Sequence, residues 1–193
     1  LITQVAKIDY RKVRRNGGEK KMEIFIDEII LRTVTEGDIE EIARMWDCPN
    51  EVTIEDAYQA LKYMEQTHNK NRPKAICHLC LAVFQKKNPK KIIGWCGLDG
   101  EAEPGKTVLF YNIDKEFRNR GYATQCVIEL LKYAFEGMEY DVIYGGCSKD
   151  NYASYRVMQK GGMRNDAFYE NGDPVFCIDK EAYHYEVKKV MEK

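Results

Sequence analysis

A chain of 193 residues with 44% hydrophobic side chains is enough for one ordinary globular domain with a sizeable core, and two would be cramped. Its 30 basic side chains face 31 acidic ones, so it lacks the strong basic field that nucleic-acid binding usually shows, and no nucleic-acid partner is expected. No apolar run approaches the roughly 20 residues that span a bilayer, and the first residues hold no secretory-type apolar run, so no membrane partner is expected.

The elements follow in chain order. Residues 1–21 read as a flexible basic arm or leader, because Lys7 to Lys21 holds seven basic and two acidic residues and contains Asn16-Gly17-Gly18. The folded domain is expected over 22–193. Ile24 to Val34 is an apolar, β-branched run and predicts a strand. Thr35 and Asp38 form a capping pair ahead of Ile39, Ile42, Ala43 and Trp46 at helical spacing. Thr53 and Asp56 repeat that pattern ahead of Ala57, Tyr58, Leu61 and Met64, predicting a second helix to about Thr67. Ala75 to Phe84, Ile92 to Leu98 and Val108 to Ile113 predict three strands joined by turns at Asn88-Pro89 and Pro104-Gly105. After Gly121, the stripe Val127, Leu130, Leu131, Ala134 and Phe135 predicts a helix ending near Gly137, and Tyr140 to Cys147 predicts another strand. Asp150 or Asn151 can cap a short helix ending at Gly161-Gly162. Asn171-Gly172 then separates two last strands, Met163 to Tyr169 and Phe176 to Lys188. The order predicts an α/β (α+β) domain: a mixed, mostly antiparallel sheet with helices on both faces. A dinucleotide fold is excluded, since no G-x-G-x-x-G follows a strand.

The chemistry concentrates in Val108 to Ala123, a strand whose polar turn feeds a helix. A helix N-terminus offers unpaired N–H groups and the positive end of the macrodipole, which suits phosphate. Gly121 lets backbone approach closely, and Arg118 and Arg120 add cations. Taken alone, these features also fit a solvated helix start with two surface arginines.

Arg118-x-x-Gly121-x-Ala123 resembles the Arg/Gln-x-x-Gly-x-Gly/Ala signature with which GNAT N-acetyltransferases hold the pyrophosphate of coenzyme A. The segment from Asn151 through Ser154 to Gly162-Met163 resembles the same superfamily's N-x-x-S-x-x-V-x-x-K-x-G-F pattern. Gly-Tyr-Ala-Thr is similar to the branch of ribosomal-protein-alanine acetyltransferases. The resemblance covers about Ile24 to Val187. It implies about seven strands flanked by about four helices, with two central strands splayed, and acetyl-CoA as cosubstrate for direct transfer to a primary amine.

The resemblance also implies the residue roles. The Ile113 N–H would polarise the thioester carbonyl. The amides of Asn119, Arg120, Gly121, Tyr122 and Ala123, with Arg118, would hold the pyrophosphate. Asn151 would bond the pantetheine arm, and Arg156 or Lys160 would meet the adenosine phosphate. Many relatives place a tyrosine seven residues after the asparagine, but this chain has Met158 there. Ser154 matches the serine that often occupies this place in the ribosomal-protein branch, so the resemblance implies Ser154, then Tyr155, as proton donor to the leaving thiolate, and no carboxylate is singled out as general base. Gly162-Met163 replaces the usual Gly-Phe, and Gln125 stands where the branch often has Glu.

The acceptor expected by analogy is a peptide or protein α-amine. Aminoglycosides, polyamines and amino acids fit the same machinery. A non-catalytic acyl-CoA-binding sensor and an interaction scaffold are the readings from other classes. Cys77-His78-x-Cys80 lacks the further ligands of a structural zinc site, so no metal is expected, and no cysteine–histidine pair suggests a covalent route. Seven cysteines at irregular spacing in apolar stretches fit reduced thiols of a cytoplasmic protein, expected as a monomer or homodimer.

Overall fold

The computed structural model describes residues 14–16, 19–46 and 52–191. Within the expected arm, β1 (Arg14–Asn16) and β2 (Glu19–Lys21) pair as an antiparallel hairpin. The remainder of that arm lies outside the described residues.

The domain is built on an eight-stranded sheet in the order β3-β4-β5-β6-β7-β8-β10-β9. Its strands are β3 (Glu23–Ile26), β4 (Ile29–Arg32), β5 (His78–Gln85), β6 (Asn88–Glu103), β7 (Lys106–Ile113), β8 (Val142–Gly146), β9 (Arg164–Phe168) and β10 (Pro174–Asp179). Every neighbouring pair is antiparallel except β7–β8. The helices are α1 (Ile39–Met45), α2 (Ile54–Lys70), α3 (Tyr122–Lys132), α4 (Tyr152–Lys160) and α5 (Lys180–Met191).

Strand alternation sorts the core into two layers. Ile29, Leu31, Leu79, Leu81 and Val83 point to the face covered by α3, α4 and α5, where Val127, Leu130, Met158 and Tyr183 meet them. Ile30, Ala82 and Phe84 point to the opposite face, under α1 and α2. In β6 the parity slips, because Val83 pairs with Gly94 while Phe84 pairs with Ile92, leaving Ile93 as an extra residue. The bulge puts Ile92 and Trp95 on one face and Ile93 and Cys96 on the other, three residues apart where a regular strand would give two.

Both expected capping boxes form. Thr35 and Asp38 close a short 3₁₀ turn before α1, and Thr53 and Asp56 open α2. Three expectations need correction. The turn expected at Asn88-Pro89 lies one step earlier, at Lys86-Lys87, because Gln85 pairs with Asn88 and β6 begins there. The run Ile24 to Val34 is two strands folded at Asp27-Glu28, since these two polar residues break an otherwise continuous apolar stretch and Asp27 takes a φ of 21°. The last strand ends at Asp179, whose carboxylate accepts the Ala182 amide at 2.8 Å and caps α5, so Lys180 to Lys188 is helical.

Candidate active site

β7 and β8 run side by side for only two residue pairs, Val108 with Tyr144 and Leu109 with Gly145. β7 continues to Ile113 along β6, while β8 ends at Gly146. A wedge therefore opens beside Phe110 to Ile113. The ladder fixes what faces it. The Asp114 amide donates to the Ile93 carbonyl at 2.9 Å, which makes Ile113–Gly94 a non-hydrogen-bonded pair. Alternation then gives Cys96–Tyr111 the same character. The N–H and C=O groups of Tyr111 and Ile113 consequently point away from β6, into the wedge.

The turn after β7 leads to the N-terminus of α3. Asn119 and Gly121 both lie at positive φ, 62° and 81°, the second being the helix cap. Asparagine and glycine are the residues that accept this backbone at least cost. Tyr122, Ala123 and Thr124 occupy the first turn, where no intrahelical carbonyl is available. The first amide to find one is Gln125, on the Gly121 carbonyl at 3.0 Å. A Cβ on Gly121 would meet nothing within 4 Å, so the space beside this turn is open. That arrangement can hold a phosphate.

The side chains divide into those turned outward and those that brace. Arg120 is exposed, with its guanidinium 5.5 Å from the Phe117 ring centroid. Arg118 folds back, its Nε donating to the Ile113 carbonyl at 2.8 Å, and ties the turn to the strand end. The Tyr122 side chain is buried. Its hydroxyl donates to Glu28 Oε2 and accepts from Gln85 Nε2, both at 3.0 Å, pinning the start of α3 to the β3–β4 turn. Only its backbone amide faces an incoming anion.

Across the wedge, Asn151 caps α4, with its Oδ1 accepting the Ser154 amide at 3.1 Å. Ser154 is half-buried in the first turn, and its carbonyl accepts the Tyr111 hydroxyl at 3.2 Å. Tyr155 packs its ring edge-on against Phe176, 4.8 Å between centroids, which is a core contact. Arg156 and Lys160 are exposed on α4. Met158 is buried, and its Sδ and Cε lie 3.0 Å from where a Cβ on Gly145 would stand. That thioether seals the point where β7 and β8 part. The structure thus ties the turn before α3 to Ile113 through Arg118, ties Tyr111 to the Asn151-capped start of α4 through Ser154, and turns Tyr155 into the core.

Sequence reasoning missed Tyr111, Tyr122 as an anchor, and the clip formed by Glu41 and Arg44. Glu41 accepts the Ile92 amide at 2.8 Å while Arg44 donates to the Ile92 carbonyl at 2.6 Å, holding α1 on the β6 bulge. The bond to Arg44 keeps the Glu41 carboxyl below its ordinary value. Alternation alone could have found Tyr111, since it shares a face with Leu109 and Ile113. Burial pushes the Cys80 thiol up to about 12 and raises Cys147 and Cys177, while the bond to the Glu101 carboxylate raises Cys77.

A splayed parallel pair beside a bare helix N-terminus leaves a strand edge open to an extended ligand and amides open to an anion. Known proteins with this fold follow. A family model described as acetyltransferase (GNAT) domain matches residues 28–164. Bacillus subtilis (strain 168) has two similar proteins. The uncharacterized N-acetyltransferase YnaD is 34% identical over 76 residues, 37% of this chain and 42% of that protein. The uncharacterized N-acetyltransferase YoaA is 24% identical over 163 residues, 77% of this chain and 89% of that protein. Among solved structures, the ribosomal-protein-S5-alanine acetyltransferase from Vibrio fischeri matches with a TM-score of 0.69 at 17% identity, over 84% of this chain and 98% of that one. At that identity the likeness carries the fold. The match to YnaD spans less than half of that protein's length. The chain belongs to the GNAT acetyltransferase family, whose reaction moves acetyl from acetyl-CoA to an amine.

Proposed function

We propose that this chain acetylates the α-amine of a protein or peptide by direct attack on acetyl-CoA held in the β7–β8 wedge. The carrying observation is that the Ile113 and Tyr111 backbone groups point into a gap that β8 has vacated. A pantetheine arm has amides spaced to pair with such an edge, as an added strand does. The Asn119–Ala123 amides would take the pyrophosphate, with Arg120 supplying a cation and Arg118 bracing the turn from Ile113, and the Asn151 side-chain amide would bond the arm. Exposed Arg156 or Lys160 on α4 would meet the adenosine phosphate. The Ile113 N–H would stabilise the oxyanion as the neutral amine attacks.

Residue distribution supports an elongated acceptor. α3 and α4 cover one face of the wedge, so the amine must arrive from the other. There, α1 and α2 cover β4, β5 and β6, while Phe110 and Asn112 of β7 and Tyr144 of β8 remain only half-buried. His78 stacks on Phe110 at 5.5 Å, continuing this floor. Small amines would use only its upper end. The six described cysteines are free thiols, which supports action in the cytoplasm. Met158, at the position where the resemblance implies a tyrosine, favours a second reading, a sensor that binds acyl-CoA without turnover.

One experiment separates these readings: calorimetric titration with acetyl-CoA, together with free-thiol release over a panel of peptides, polyamines and aminoglycosides. Binding with peptide-dependent release is the expected result. Release with polyamines or aminoglycosides alone would replace the acceptor class. Binding without release would favour the sensor, and no binding would overturn the site.

A further inference from the structure

We infer that the phenol of Tyr111 is the proton donor to the departing coenzyme A thiolate. The inference rests on the acetyl-CoA site proposed above and supplies the acid that Met158 cannot. Tyr111 lies on the wedge-facing stretch of β7, between Leu109 and Ile113 on the α3–α4 side of the sheet. Its strand neighbour has departed by this point, and its side chain crosses the opening to α4, where the hydroxyl donates to the Ser154 carbonyl at 3.2 Å. The Asn151 cap on the Ser154 amide fixes that carbonyl's turn of helix. One turn further, the wall is the thioether of Met158, which has no proton to give.

Acidity separates the phenol from the Ser154 hydroxyl. A thiolate of pKa about 8.5 takes a proton far more readily from a phenol, of pKa about 10, than from an aliphatic alcohol. Burial raises the Tyr111 phenol above its ordinary value, which narrows its advantage over the alcohol without removing it. In the step itself, the amine nitrogen bonds to the acetyl carbon and the C–S bond breaks with its electron pair on sulfur. The phenol O–H turns from the Ser154 carbonyl to that sulfur and its proton passes across, giving thiol and phenolate. The phenolate then recovers the proton that the nitrogen sheds on becoming an amide, directly or through water. Ser154 positions the phenol through its carbonyl, a group that side-chain truncation leaves in place.

The test compares Tyr111→Phe with Ser154→Ala. Tyr111→Phe should lower kcat by about 10²–10⁴-fold, the usual range for general acid catalysis, with the acetyl-CoA Kd changed less than about threefold. A readout independent of turnover is the thiol of bound coenzyme A, titrated by its thiolate ultraviolet absorbance. A phenol donating to sulfur lowers the pKa of that thiol in the wild-type complex, and Tyr111→Phe should return it to the value of free coenzyme A. An unimpaired Tyr111→Phe, a bound-thiol pKa the same in both proteins, or a larger fall in kcat for Ser154→Ala would each overturn the assignment while leaving the acetyl-CoA site standing. A wild type that neither binds acetyl-CoA nor releases thiol would overturn both.

Discussion

Gly121 combines a φ of 81° with open space where the first side-chain carbon would stand. Gly121→Ala should cost about 1 kcal/mol in stability from the strained backbone and weaken acetyl-CoA binding, because the methyl group enters the phosphate space. Gly121→Glu adds a negative charge there and should abolish binding in calorimetry. Equal affinities in all three proteins would remove the cradle from this turn. The sequence identified Gly121 because a short motif encodes backbone geometry directly. It was less informative about Arg118, whose side chain bends back to the Ile113 carbonyl. A motif states that a cation stands near the turn; only the three-dimensional path of the strand end decides which acceptor it reaches. Tyr155 teaches the same lesson, since one step along α4 from Ser154 turns a ring from the opening into the core.

Capping boxes were legible among the elements because they are local, three residues apart and fixed in chemistry. The box at Asp38 does more than start a helix. Its carboxylate accepts both Arg32 guanidinium nitrogens at 2.7 and 2.8 Å, together with the Thr35 amide and hydroxyl at 2.9 Å. Burial alone would push the Asp38 carboxyl up; the Arg32 and Thr35 bonds overcome it and hold the group below 3.8. A folded-state value below the unfolded one contributes stability in full above about pH 4, lost as the pH falls below 3.8 toward the folded value. Asp38→Asn should therefore cost about 2–3 kcal/mol in urea unfolding at pH 7, with the difference from wild type shrinking below pH 4. A difference constant down to pH 3 would show that the charge is not what the box uses. What the sequence hid were features set by long-range pairing. The Asp27-Glu28 turn sits inside an apolar run, and the bulge at Ile93 follows from how β5 and β6 are aligned, which no local pattern states. The cap at Asp179 was readable, but the β-branched and aromatic run before it favoured strand.

At the scale of the whole molecule, the sequence conveyed the class of fold through its strand–helix–strand unit around α3, which brings β7 and β8 into parallel pairing. It could not convey how briefly they pair. Five strands, β3 to β7, form one antiparallel block and three, β8, β10 and β9, form another. Between them run two residue pairs, Val108–Tyr144 and Leu109–Gly145, reinforced by α3 and α4 packed across one face. The sheet is thus two plates with a short seam, and a coenzyme lying in the gap would act as mortar. Without ligand, amide hydrogen exchange should show the smaller plate opening at lower free energy than the larger one, as separable units. Saturating acetyl-CoA, at about 100 times its Kd, should add about 2.7 kcal/mol of protection and merge the two openings into one cooperative event. Identical protection of both plates before and after ligand would mean that α3 and α4 alone weld them, and that the gap is cut into an already rigid body.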